Sequence, residues 1–245
     1  MCSTSPTRLA STATANFSGG LGVPSAAGTH VLFPAYDQRL LQSIWELQPG
    51  HASSPSTLVP ALSAIPAHPG HRFGGFDDLT SSSSGRFVGF VGVGNTSVPL
   101  RSRFFGAYVI DTAAEPPEMR KIADTTDTVP VAGQKRLHSL SAPAIYTVGL
   151  ASAETHAAFV GSDAPIDGRE FLMRWTWRSG ARELLLDGFA AGLKGLSPPQ
   201  LCGSEASGAA GARWLVFGAQ SADRGGVPPP LGPLSRPVAR RRCPS

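Results

Sequence analysis

The densest polar stretch of the chain is DTTDT, Asp124 to Thr128, which sets two carboxylates among three hydroxyls. Oxygen-rich clusters of this kind suit Ca²⁺, which takes about six to eight oxygen ligands. The Asp-x-Asp-x-Asp-Gly order of a calcium loop is missing, however. Asp124 also falls where Asp187 falls in a later segment of the same pattern. Asp124 and Asp127 therefore read first as turn-capping residues, because an Asp side chain readily bonds its own backbone in a turn. The run RWTWR is the second candidate, with Trp175 and Trp177 alternating with Arg174 and Arg178. The alternation reads first as half-buried strand residues, and indole faces beside guanidinium groups make a ligand-binding surface the alternative.

Other chemistry finds less support. His30, His51, His68, His71, His138 and His156 show no His-Glu-x-x-His or other fixed metal spacing. Cys2, Cys202 and Cys243 lie far apart with no Cys-x-x-Cys, so they read as free thiols, with a Cys202–Cys243 bridge as the alternative. GFVGVGNTS carries Gly89, Gly92 and Gly94, but a dinucleotide fingerprint needs a further glycine and a following helix. A tight loop between two strands is the expected reading. No Gly-x-Ser-x-Gly elbow is present to anchor a hydrolase triad. In SDAPIDGREF, Ser162 and Asp163 are adjacent, which breaks the Ser-x-Asp spacing of the Asp-box in sialidase-like propellers. Asp37 and Asp163 each lie four residues past an aromatic strand residue, a place filled by Gly94 and Ser221 elsewhere, which reads as turn geometry. The sequence thus predicts no catalytic residue, no metal site and no cofactor. Asn16 and Asn95, the two asparagines, both stand in Asn-x-Ser/Thr sequons, and Asn95 falls in an expected loop.

The net charge of +4 invites a nucleic-acid reading until it is located. Residues 223–245 hold five arginines against Asp223, which is the whole excess. The body is neutral, whereas phosphate binding needs clustered Lys and Arg on a folded surface. No nucleic-acid partner is expected. No apolar run approaches the roughly 20 residues of a membrane span. The segment 1–16 lacks an apolar core, so it reads as a disordered leader, with an organellar transit peptide as the alternative. The Pro- and Arg-rich segment 223–245 reads as a disordered tail.

What must position any site is a repeat. Phe33, Phe90, Phe159 and Phe217 each sit in a short apolar run, at spacings of 57, 69 and 58. Aromatic-bearing runs follow: SIWELQ with Trp45, GAYVID with Tyr108, and EFLMRWTW with Phe171. Val59, Ile122 and Leu185 then recur 63 apart, while Pro66 and Pro130, like Phe73 and Leu137, recur 64 apart. Leu140 pairs with Leu196, and Pro143 with Pro199. Four short runs of β-branched and aromatic residues per unit, punctuated by Gly, Pro, Ser and Asp, predict four-stranded blades. One segment is ambiguous. Leu40 with Ile44 and Leu41 with Trp45 have helical spacing, while alignment to GAYVID predicts a strand from Ser43.

The segments RFGGFDDLTSSSSGRFVGFVG, FGAYVI and KIADTTDTVPVAG resemble, in order, the tandem repeats of bacterial secreted proteins that carry PEP-CTERM-type anchors. The likeness covers about residues 17–220 and is closest over 72–161. It implies a β-propeller-like fold and an extracytoplasmic setting, and it transfers no catalytic residue. The anchor segment of that family is missing here, and the last unit degrades after Leu193.

The expected fold is therefore all-β: tandem four-stranded blade-like repeats over residues 17–222, a partial β-propeller of about three to four units. Propellers close with about four or more blades, so the chain reads as a piece of a larger protein or half of an oligomer. The expected function is a non-enzymatic binding or structural module at or outside the cell surface, with a protein or glycan partner. A propeller-type glycan hydrolase or lyase, and a fragment without independent activity, are the alternatives. An organellar or cytoplasmic location is the alternative to the cell surface.

Overall fold

The computed structural model describes residues 24–27, 29–47, 55–95, 105–130, 135–148, 154–165, 168–202 and 214–221. Within them the chain is all-β. The leader, the tail and Asn16 lie outside the described residues, as do His51, Cys2 and Cys243. Among the described residues no helix is long and apolar enough to cross a membrane.

Each of the first three units folds into one antiparallel sheet whose strands follow chain order. The first sheet holds β1 (Ser25–Ala27), β2 (His30–Tyr36), β3 (Gln42–Leu47) and β4 (Ser56–Val59). The second holds β5 (Arg72–Ser81), β6 (Phe87–Asn95), β7 (Phe105–Asp111) and β8 (Glu118–Asp124). In the third, β9 (Ser139–Leu140) and β10 (Ala144–Val148) pair with the two ends of β11 (Glu154–Ser162), followed by β12 (Glu170–Thr176) and β13 (Arg182–Asp187). Among the described residues no sheet closes on itself.

A fourth unit begins after the third sheet. Here β14 (Leu193–Lys194) pairs with β17 (Gln220–Ser221), and β15 (Gln200–Cys202) pairs with β16 (Trp214–Val216). This repeats what β9 and β10 do with β11. The hydrogen bonds repeat as well. Ser141 N donates to Val160 O at 2.8 Å and its Oγ accepts from Val160 N at 3.0 Å; Ser197 and Gly218 make the same two bonds at 2.8 and 2.5 Å.

The sheets stack face to face, and the two-residue period of a strand decides which side chains meet. In β7, Ala107 and Val109 face the third sheet while Tyr108 and Ile110 face the first. In β12, Phe171, Met173 and Trp175 face the second sheet while Leu172 faces the fourth unit. Both faces of the middle sheets are thus covered, which explains why their strands read as near-continuous apolar runs. Phe90 and Phe159 are fully buried, each against the preceding sheet, and Phe217 packs in the same way on the third. Burying the Phe90 and Phe159 rings contributes about 1.5–3 kcal/mol each, and Phe217 is half-buried. Their cross-strand partners are equivalent too: Phe33 faces Trp45, Phe90 faces Tyr108 and Phe159 faces Met173.

Two connectors carry the same bonding pattern 64 residues apart. Ile65 N bonds His71 O as Val129 N bonds Lys135 O, and Phe73 N bonds Ser63 O as Leu137 N bonds Asp127 O. Isolated bridges Ala64–Arg72 and Thr128–Arg136 complete the match. Ile65 and Val129 plug the core from these connectors.

Three expectations need correction. Gly89, Gly92 and Gly94 form no loop; they lie inside β6. A Cβ on Gly92 would stand 2.5 Å from the Phe73 ring, and one on Gly89 would stand 2.7 Å from Pro143, just before β10 of the third sheet. These glycines clear room for rings and for close sheet approach. Asn95 is likewise the last residue of β6 rather than a loop residue. Finally, Val59 is not the equivalent of Ile122. Thr57, Lys121 and Leu184 oppose Trp45, Tyr108 and Met173, and a bulge follows in each sheet. Leu58, Ile122 and Leu185 occupy that bulge, and Leu185 is 40% exposed. The ambiguous segment resolves as a turn through Leu40, which takes φ 58°, into strand β3.

Candidate functional site

Two neighbouring hollows lie along the seam where the second and third sheets meet. The larger, of about 490 Å³, is walled by Arg86 and Phe87 at the start of β6, Arg120 on β8, Thr147 at the end of β10, Glu154 and Thr155 at the start of β11, and Trp177 and Arg178 just past β12. Strand ends from both sheets converge here because adjacent antiparallel strands bring alternate termini to one side.

Arg86 enters through the turn from Ser82, whose Oγ accepts from Phe87 N at 3.0 Å, with Gly85 at φ +74°. The Arg86 guanidinium grips Asp111 with two parallel bonds, Nε to Oδ1 at 2.9 Å and Nη2 to Oδ2 at 2.7 Å. Those bonds hold the Asp111 carboxyl below its ordinary range despite burial. Arg120 donates from Nε to Glu118 at 2.7 Å and from Nη1 to the Trp177 carbonyl at 2.7 Å. Its guanidinium lies 4.4 Å over the Trp177 ring. That ring meets Phe87 edge-on at 5.2 Å and Trp175 at 5.8 Å. Arg178 is exposed and has no ion-pair partner among the described residues. The wall thus presents three guanidinium groups and one carboxylate, Glu154, around an aromatic floor. Asp111 and Glu118 stand behind two of the arginines and fix them in place.

The second hollow, of about 370 Å³, lies on the far side of Arg120 and is lined by Pro66, Ala67, Met119, Lys121, Trp175 and Arg182, among others. Trp175 is 2% exposed and belongs to the seam core. The candidate pair therefore splits: Trp177 reaches the wall of the larger hollow, and Trp175 is a core residue.

Asp124 and Asp127 do come together. The Asp124 carboxylate is fully buried and accepts from Thr126 N at 2.8 Å and Thr126 Oγ1 at 2.5 Å. His68 Nε2 bonds it, and Lys121 Nζ stands 3.1 Å away. Burial alone would raise its proton affinity, but the bonds from Thr126 and His68 and the Lys121 charge outweigh burial and hold it ionised. Asp127 accepts from Asp124 N at 2.9 Å and pairs with Lys121 at 3.2 Å and Arg182 at 3.0 Å. Both carboxylates are committed to turn capping and ion pairs that tie the two connectors and β13 together. Nearby, the Tyr108 hydroxyl is buried without a hydrogen-bond partner among the described residues, and burial, with Asp124 and Asp127, pushes its titration upward. Asp37 caps its own turn through bonds from Arg39 N and Leu41 N, and Asp163 through Arg169 N at 2.7 Å. The Asn95 side chain and the sequon at Asn16 lie outside the described residues. Among the described residues, no three His, Cys, Asp or Glu side chains converge on one point.

Arg86, Arg120, Thr147 and Glu154 were not legible as a group, being single residues at the ends of strands far apart in sequence. The one available signal was position: Arg86 and Thr155 each stand four residues before an anchor phenylalanine, Phe90 and Phe159. No family model, no curated protein and no solved structure matches the chain.

Proposed function

We propose that this chain is a non-enzymatic, repeat-built β module that binds a polar ligand in the groove between its second and third sheets. The observation that carries the reading is the wall of guanidinium groups, two of them held by carboxylates and one, Arg120, lying 4.4 Å over the Trp177 ring, a surface that presents donors and an aromatic edge. We read the array as propeller-like. Its support is that the first strands of successive sheets, β1, β5, β10 and β15, touch one another in order, as strands do around a central axis. The setting in this reading is at or outside the cell surface, supported by the repeat resemblance and by the two sequons. A glycan hydrolase would need a pair of carboxyl groups flanking the scissile bond; of the carboxylates at the groove, Asp111 and Glu118 are bonded to Arg86 and Arg120, which leaves Glu154 in the wall without a second acid beside it.

The test follows the Trp177 indole N–H in a ¹H–¹⁵N spectrum of the full chain, assigned by loss of its signal in Trp177→Phe. A panel of glycans and peptides is titrated in. A saturable shift of that signal with no product formed is the expected result. Turnover of any panel member, or no shift with all of them, overturns the reading.

A further inference from the structure

Resting on that reading of the groove, we infer that its ligand is a carboxylate-bearing saccharide, an oligouronate, held at one sugar carboxylate by Arg178 together with Arg86 and Arg120. Three features of the wall point to this class. The first is the geometry of the donors. Arg86 spends Nε and Nη2 on Asp111, and Arg120 spends Nε and Nη1 on Glu118 and the Trp177 carbonyl. The remaining amino group of each has no protein acceptor among the described residues, and Arg178 has its whole fork available. A guanidinium fork matches a planar carboxylate with two parallel bonds, and donors already held in place lose less freedom when the ligand arrives.

The second feature is the mixture around those donors. Ser84, Thr147 and Thr155 bring hydroxyls to the wall, and Phe87 and Trp177 form the floor. Sugars present both hydroxyls and patches of C–H, so they need this mixture of polar and apolar walls. The third feature is position. The groove lies at strand ends and meets the edge strands β8 and β10 at single residues, Arg120 and Thr147, so it holds no long row of free backbone N–H and C=O groups. An acidic peptide adding as a strand would need such a row. Glu154 sets an opposing charge on one side of the wall and favours a ligand with spaced carboxylates over one with uninterrupted negative charge. Polyphosphates and nucleic acids are the less favoured anions for that reason, and because the charge excess of the chain lies in residues 223–245.

The experiment is calorimetric titration of the full chain with an oligouronate, its fully methyl-esterified form, a neutral oligosaccharide and polyglutamate. The oligouronate is expected to bind, the ester and the neutral sugar about tenfold or more weakly, and added salt to weaken the oligouronate alone. Arg178→Ala is expected to cost about tenfold in affinity, with Arg178→Lys recovering part of it. Both variants keep the melting temperature of the parent, since this side chain supports nothing in the fold. Equal binding of oligouronate and ester, or an unchanged affinity in Arg178→Ala, overturns the inference while leaving the groove a binding site. Preferential binding of polyglutamate overturns it in favour of a protein partner. A neutral sugar that shifts the Trp177 signal while the oligouronate does not also overturns it, and leaves the broader reading standing. Silence with every probe overturns both.

Discussion

The two inner seams of this molecule are made from the same repeat and end differently. Between the first and second sheets the seam is closed by rings: Phe73 meets Phe76, Phe90 and Tyr108 at centroid distances of 5.2, 5.7 and 4.9 Å. Between the second and third sheets Phe159, Phe171, Met173 and Trp175 fill the equivalent volume, but the rim opens into the arginine-walled groove. The packing of a seam is therefore common to the units, while its rim is free to vary. A seam whose Gly92 abuts the Phe73 ring and one whose Gly161 abuts the tips of Leu137 and Met173 can share a backbone, and space for a ligand opens at the end of the second.

The comparison breaks first at its shared part. Phe90→Ala and Phe159→Ala each empty a fully buried ring site, so each should cost about 3–5 kcal/mol in denaturant unfolding. A loss at one site of under half the other would mean that the seams are not energetically equivalent. A second test separates stiff from flexible. A Cβ on Gly92 meets the Phe73 ring at 2.5 Å, whereas one on Gly161 meets the tips of Leu137 at 2.6 Å and Met173 at 2.8 Å. Gly92→Ala should cost about 1–3 kcal/mol, and Gly161→Ala clearly less, because the ends of aliphatic chains can move aside and a packed ring cannot. Equal costs would remove the distinction.

The rim can be probed by pH. The Arg86 bonds depress the Asp111 carboxyl below its unfolded value of about 3.9, so the folded state gains from ionised Asp111 above that pH and loses the gain as pH falls through the lower folded value. Acid unfolding curves of Asp111→Asn should lose this limb. His156, whose titration burial lowers with help from Arg174, acts earlier: its neutral form favours folding, and that advantage fades below about pH 6.5 in parent and variant alike. An Asp111→Asn curve identical to the parent below pH 4 would exclude the Arg86–Asp111 pair as a stabilising element of the rim. The smallest effect is at Arg178, where substitution by Ala should move stability by less than about 0.5 kcal/mol.

Much of the fold was legible because it depends on period and repetition. Four recurring phenylalanines, strand-length apolar runs and the 64-residue match of Pro66 with Pro130 all correspond to observed structure. The one-residue slip at Val59 arose because a bulge adds a residue without changing composition, so Leu58 and Val59 look alike in sequence. The glycines of β6 misled for a related reason: a glycine that makes space for a neighbouring ring cannot be told from one that makes a turn until the ring is placed. At the site, Asp124 and Asp127 were legible as turn formers because that bonding is local. Their partners His68 and Arg182 were not, since nothing nearby in sequence marks them. The arginine wall was hidden for the same reason, its members being brought together only by the stacking of two sheets.

The two matched connectors have a genetic consequence. Because residues 63–73 and 127–137 close the same bonds at a constant offset, an in-frame duplication or loss of one 64-residue stretch would join each cut end to a chemically equivalent neighbour. A gene built this way can lengthen or shorten by whole units through unequal recombination, and each new join arrives with its hydrogen bonds already specified.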